Sequence, residues 1–264
     1  MALPRHYKRD DCQEADNSDG GFTLVEVLIA MLLSGIVLTS IYSAFQSQQN
    51  SYLAQEQVSE MQQNVRIGLD ILARDIRLAG YNPDGGAGSG FVDGIFFGGE
   101  QVFTNATQIA FTADLDGDGT IDTVTQDTNG NGIDLADMER IAYTLNGTNL
   151  QRWATVGWQT MAEHVENVEF QYVLANGTQT TTPTAAQLAN IRSVRISILV
   201  STEYPDPNFT NPRTYLPASN DPYFTSPANL SGTVWGPFAG TATANFRRRL
   251  LTITVNCRNM GLSD

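Results

Sequence analysis

Eight acidic side chains crowd into the stretch from Asp114 to Glu139. Its first run, Asp114-x-Asp116-x-Asp118-Gly119-Thr120-x-Asp122, matches the first part of a calcium loop. Alternating carboxylates aim several oxygens at one point, the Thr120 carbonyl can join them, and Gly119 permits the sharp turn between. Hard oxygen donors on a flexible loop suit calcium better than the smaller magnesium ion. The place of the bidentate glutamate holds Thr125, and strand-type sequence flanks the run, so this is not a complete EF-hand. A second run, Asp127-x-Asn129-x-Asn131-Gly132, repeats the pattern, with Asp134, Asp137 and Glu139 following. The residues leave two readings open. Either a calcium ion sits among Asp114, Asp116, Asp118, Thr120, Asp122, Asp127, Asn129 and Asn131, or this is a solvated Asp/Asn/Gly turn.

A second reactive group stands alone. Glu26 is the single charge in FTLVEVLIAMLLSGIVLTSIY, the 21 residues from Phe22 to Tyr42. As a helix this run spans roughly 31 Å, the thickness of a bilayer's apolar core. A carboxylate there costs roughly 2–3 kcal/mol on insertion scales, so it needs a partner. A cut between Gly21 and Phe22 would supply one, because the new Phe22 amine of a neighbouring copy could neutralise Glu26 in a helical bundle. An ordinary secretory signal does not fit, since here the small residues precede the apolar run.

Enzyme chemistry finds no footing. Beyond residue 21 there is one histidine, His164, one cysteine, Cys257, no G-x-S-x-G, and no His/Cys metal spacing. His164 precedes a strand and reads as a surface residue. The formal charge is −13. Residues 1–21 hold three of the 15 basic and five of the 28 acidic residues, so removing them leaves −11. Such a chain repels phosphate backbones, which argues against nucleic acid as a partner. Arg247-Arg248-Arg249 is the one basic run, and three arginines entering a strand read as a solvated edge. Cys12 lies before the cut, so Cys257 has no partner; its strand parity with Leu251, Ile253 and Val255 marks it as a buried small hydrophobe.

The elements that hold these groups follow from periodicity. Helical signal continues without proline to about Ala79. Val58, Met61, Val65, Leu69, Leu72, Ile76 and Ala79 form an apolar stripe, opposite Glu60, Gln63, Arg66, Asp70, Arg74 and Arg77. Arg66, Asp70 and Arg74 are spaced to pair, Gly35 and Gly68 are soft points, and Gly80 with Pro83 ends the helix. Residues 82–100 are glycine-rich and read as a flexible surface loop. Beyond residue 101 the pattern is β: Gln108–Thr112, then Arg140–Leu145 and Thr148–Trp153 around the Asn146-Gly147 turn. Alternation over Val168–Leu174, Val194–Val200 and Leu251–Cys257 completes one antiparallel sheet with a single apolar face. The class is α+β, a long N-terminal helix on an antiparallel sheet. Residues 201–246, with seven prolines and many aromatics, form a long irregular loop that is either a partner surface or pinned to its own domain.

The stretch GG-FTLVEVLIAM at residues 20–31 resembles the N-terminal signature of type IV prepilins and type II secretion pseudopilins. The helix end L-x-RDIR-x-AGY, at residues 72–81, resembles that of PilW-type minor pilins, as do, more weakly, the strands from Val168 to Val200 and the ending at Arg258-Asn259. The resemblance implies a pilin fold with a leader at 1–21, a long helix at 22–80 that crosses the membrane at 22–42, and a β-rich domain at 81–264. It implies cleavage between Gly21 and Phe22 by a prepilin peptidase, N-methylation of Phe22 by the same enzyme, and an assembly role for Glu26. It also implies a single-pass protein of the inner membrane with a periplasmic domain, later carried on a surface pilus with other minor pilins and the major pilin. The function implied is to prime type IV pilus assembly at or near the fibre tip, as a non-enzyme serving adhesion and twitching motility. The alternatives are a J-type pseudopilin of type II secretion or an adhesive tip module built on 201–246. Many pilins close a C-terminal loop with a disulfide; this chain departs from that pattern, which leaves calcium as the candidate staple.

Overall fold

The computed structural model describes residues 21–83, 89–97, 99–115, 117, 119, 121, 139–154, 157–225 and 233–261. Helix α1, Leu24–Leu78, is 55 residues long and contains a segment apolar enough to cross a membrane. The chain divides into two units, Met1–Tyr52 and Leu53–Asp264. In the first, every described residue is exposed, apolar ones included. The leader reading lies outside the described residues, apart from Gly21.

In the second unit the predicted stripe is the core. Met61, Val65, Leu69, Leu72, Ile76 and Ala79 are all buried, and Leu72 and Ile76 completely so. Each such aliphatic side chain contributes roughly 1.5–3 kcal/mol by leaving water. Gly68 is no soft point. A Cβ there would lie 3.1 Å from the Ala162 Cβ and 3.2 Å from the Met161 carbonyl oxygen, so its lack of a side chain admits a strand close to the helix. Gly80 ends the helix as expected, at φ +77° with the Met260 sulfur above it. The expected Arg66–Asp70–Arg74 pairing does not form among the described residues; Arg74 turns instead towards Asp75, at 3.6 Å.

The strands are β1 (Gly90–Phe91), β2 (Ile95–Phe97), β3 (Glu100–Val102), β4 (Gln108–Thr112), β5 (Arg140–Asn146), β6 (Asn149–Ala154), β7 (Gly157–Ala162), β8 (Val165–Leu174), β9 (Gln179–Thr180), β10 (Ile191–Ser201) and β11 (Arg248–Asn256). A single helical turn, α2 (Ala185–Leu188), precedes β10. All pairings are antiparallel. They build two main sheets, β1-β4-β5-β6-β7 and β11-β10-β8-β9, with a β2-β3 ribbon, and not the one sheet expected. Alternation reveals which face a strand buries, not which neighbour it chooses. Part of the glycine-rich stretch is likewise strand: Phe91 is buried and packs edge-on against Phe111 and Tyr172. The β5–β6 turn is shifted by one residue from Asn146-Gly147. Asn146 pairs with Asn149, and Gly147, at φ +61°, is the first of the two loop residues. Thr148, being β-branched, resists a positive φ, so the register places the single left-handed position on glycine.

The second face of the β8–β10 sheet is polar and still buried. Glu169, Gln171 and Ser197 point away from the stripe, and residues 217–225 close over them. Ser219 donates its amide and hydroxyl to Glu169 at 3.0 and 2.7 Å, Ala218 donates to the Ser197 hydroxyl, and Gln171 donates to Thr225. This part of the long loop is therefore pinned to its own domain.

Two measurable consequences arise here. Burial raises the Glu169 carboxyl above its ordinary pKa, with the Ser219 hydrogen bonds pulling it partly back. The folded form then holds its proton to higher pH than the unfolded chain. Its contribution to stability is complete below the unfolded value, about 4.3, and is lost as pH rises through the folded one. Relative to Glu169→Gln, the wild-type melting temperature should fall between pH 4 and pH 7; a constant difference would contradict the argument. Cys257 is buried beside Val255, as its parity predicts, and burial pushes its thiol up to about 12, with Arg192 opposing. It should resist alkylation at pH 8 in the native state and react on denaturation, as read by mass spectrometry.

Candidate functional site

Gly21 and Phe22 precede the helix, and Phe22 is 88% exposed, so the bond between them is open to a peptidase. Glu26 has a local task that the sequence also signals. Thr23 donates its amide and hydroxyl to Glu26 Oε2 at 2.9 and 3.0 Å, and the Glu26 amide donates to the Thr23 hydroxyl at 3.2 Å. T-x-x-E is a capping box, which satisfies amides that the first helical turn leaves without partners. It occupies one carboxylate oxygen. Oε1 has no hydrogen bond among the described residues.

At the acidic segment the structure describes the neck of the loop. Asp114 is fully buried, and its carboxylate accepts from the amides of Gly117 and Gly119 at 2.7 and 3.0 Å, both glycines having positive φ. Glu139 is fully buried too. Its Oε1 accepts from the Leu115 amide at 2.6 Å, and its carbonyl accepts from Ala113. Asp116, Asp118, Thr120, Asp122, Asp127, Asn129 and Asn131 lie outside the described residues. Among the described ones no three acidic, histidine or cysteine side chains are grouped to hold a metal. The neck brings Asp114 and Glu139 to one place, two buried carboxylates whose chemistry fits a hard cation.

One buried charge was not singled out by spacing. Asp75, within R-D-I-R, looks like one more solvated helix residue, but its side chain is 3% exposed. Its Oδ2 accepts from Arg152 Nε at 2.6 Å and from the Tyr143 hydroxyl at 2.7 Å, which ties α1 to β5 and β6. Burial, then the Asp75 charge, push the Tyr143 pKa far above its usual value, so the hydroxyl stays a donor. Arg248 is a second correction. Its side chain is fully buried, grips Glu166 through Nε and Nη2 at 2.6 and 2.8 Å, and stacks on Phe238. Arg247 pairs with Asp206 at 2.7 Å and stacks on Phe209; only Arg249 is the solvated residue expected. His164 is half-buried at φ +57°, where its carbonyl accepts from Ser201.

Grooves run along both flanks of the stripe at residues 57–66. On the β11 side one of about 360 Å³ is lined by Val58, Met61, Phe209, Arg213, Tyr215 and Arg247–Arg249, and a second by Gln62, Arg66 and Arg249. On the β8 side a groove of about 130 Å³ is lined by Gln57, Glu60, Asn64, Glu163, His164 and Glu203.

Residues 16–42 match the prokaryotic N-terminal methylation motif, and residues 123–259 match the family of type IV pilus-assembly protein W. A type IV-like pilin of Thermus thermophilus is similar in structure at a TM-score of 0.41 and 13% identity, over 75% of this chain and 97% of that one. No curated protein matches the chain. The second family match spans more than half of the 264 residues and the first covers the processing site, so the chain belongs to the PilW family of type IV pilins, with a prepilin-type methylation motif at its N-terminus.

Proposed function

We propose that this chain is a minor pilin that primes type IV pilus assembly and stays at or near the fibre tip. The observation that carries the reading is the pairing of an apolar, exposed helical run from Leu24 to Tyr42 with a capped Glu26 at its start. Such a helix stays exposed only until lipid or neighbouring helices cover it. In this reading Gly21–Phe22 is cut by the prepilin peptidase, which also methylates Phe22. The anchor sits in the inner membrane with the β-rich unit in the periplasm, and the subunit then joins other minor pilins and the major pilin. A deletion strain tests it: loss of surface pili that the wild-type gene restores is the expected result. Normal piliation would refute priming, and normal piliation with blocked exoprotein export would place the chain in a secretion pseudopilus.

The acidic loop supplies the staple that a lone Cys257 cannot. We propose calcium held by Asp114, Asp116, Asp118 and Asp122 with the Thr120 carbonyl, the second run from Asp127 to Asn131 contributing. The buried Asp114 and Glu139 at the neck support this. Calcium at 100 times its dissociation constant adds about 2.7 kcal/mol to stability. Chelation should therefore lower the melting temperature of residues 53–264, magnesium should not substitute, and Asp116→Ala with Asp118→Ala should abolish the response. A melting curve indifferent to both chelator and millimolar calcium would leave a solvated turn.

A further inference from the structure

Charge is sorted across α1. One flank of the stripe carries Arg66, Arg213 and Arg249, all exposed and without an ion pair among the described residues. Beside them Arg247 and Arg248 are paired with Asp206 and Glu166. Five arginines against two carboxylates leave a formal +3 there, in a chain whose total is −13. The other flank carries Glu60, Glu163 and Glu203, all exposed, with no arginine lining the groove, a formal −3. Met61 lines both grooves, so the two charged surfaces sit at the same level of the helix.

We propose that the two flanks are the halves of one lateral contact, in which the arginine flank of one copy receives the glutamate flank of a second copy of this chain. Three points select this occupant. The charges are equal and opposite, so each flank complements the other and repels its own kind. The proposal takes from the proposed function only the membrane anchor: copies inserted by the same apolar run lie parallel, and residues 57–66 of each follow that run by the same number of helical residues. The arginine groove also has an apolar floor, Val58, Phe209 and Tyr215, which a partner side chain can desolvate while its carboxylate meets the guanidinium groups. Rim charges of this kind set which partner binds and in what register more than they add affinity.

The test uses the full chain in membranes, as two differently tagged forms with the leader Cys12→Ser in both. One form carries Arg249→Cys and the other Glu60→Cys, and a short bismaleimide joins them; the native Cys257, buried and unreactive, reports that each variant is folded. The mixed pair should cross-link at least several-fold more than either like pair, and less at high salt. Arg66→Glu with Arg213→Glu in the first form should cut the yield by about tenfold, and Glu163→Arg with Glu203→Arg in the second should restore it. Equal yields for mixed and like pairs, indifference to charge reversal, or cross-links only to a different subunit would overturn the proposal. Both forms missing from the membrane fraction would instead refute the anchor; anchored forms that do not cross-link refute this contact alone.

Discussion

Asp75→Ala is expected to cost residues 53–264 about 3–5 kcal/mol, a large fraction of the total stability of a folded domain. The carboxylate is the shared acceptor of Arg152 and Tyr143 between the helix and two strands. Removing it leaves a part-buried guanidinium without its counter-charge, which is the expensive half of a broken pair. Removing the hydroxyl alone, by Tyr143→Phe, takes one hydrogen bond to a charged group and should cost about 1.5–3 kcal/mol. Urea unfolding followed by tryptophan fluorescence reads both, since Trp153 and Trp158 stack in the same sheet. An Asp75→Ala fragment within 1 kcal/mol of wild type would show that solvent already screens the triad.

Replacing Glu26 should abolish incorporation into pili while leaving the β-rich unit folded. Two functions coincide in this side chain, and two substitutions separate them. Glu26→Ala removes both the cap and the charge. Glu26→Gln keeps a capping box, because glutamine can also accept from the Thr23 amide, but has no charge to offer a neighbour's amine. If the charge is the assembly determinant, the two variants fail alike, by tenfold or more in the sheared pilus fraction at equal membrane content. Normal incorporation of the glutamine form would reduce Glu26 to a helix cap, worth about 0.5–2 kcal/mol.

What could be read from the sequence was local. The 3.6-residue stripe from Val58 to Ala79, the alternation of β8 and β10 and the parity of Cys257 each depend on neighbours within a few positions, and each stands as expected. What escaped reading was long-range. Asp75 meets partners 68 and 77 residues away, and Arg248 meets one 82 residues away. Nothing in the residues beside them distinguishes a buried charge from a solvated one. Gly68 looked flexible because its reason, the approach of Met161 and Ala162, lies on another strand. The single-sheet expectation failed likewise, because strand pairing is long-range, and residues 217–225 cover a polar face that alternation assigns to water. The capping box at Thr23 and Glu26 was local and could have been found, but the same glutamate already had an explanation.

The last turn of α1 is closed by the last residues of the chain. Asn259 donates to the Arg77 carbonyl across 182 residues, Met260 covers Gly80, and Cys257 completes the core beside them. A ribosome adding about 5–20 residues per second needs roughly 10–40 s to span that gap. During synthesis the amphipathic part of α1 therefore emerges long before the strand that shields it. Throughout that interval its stripe is available to chaperones and to proteases.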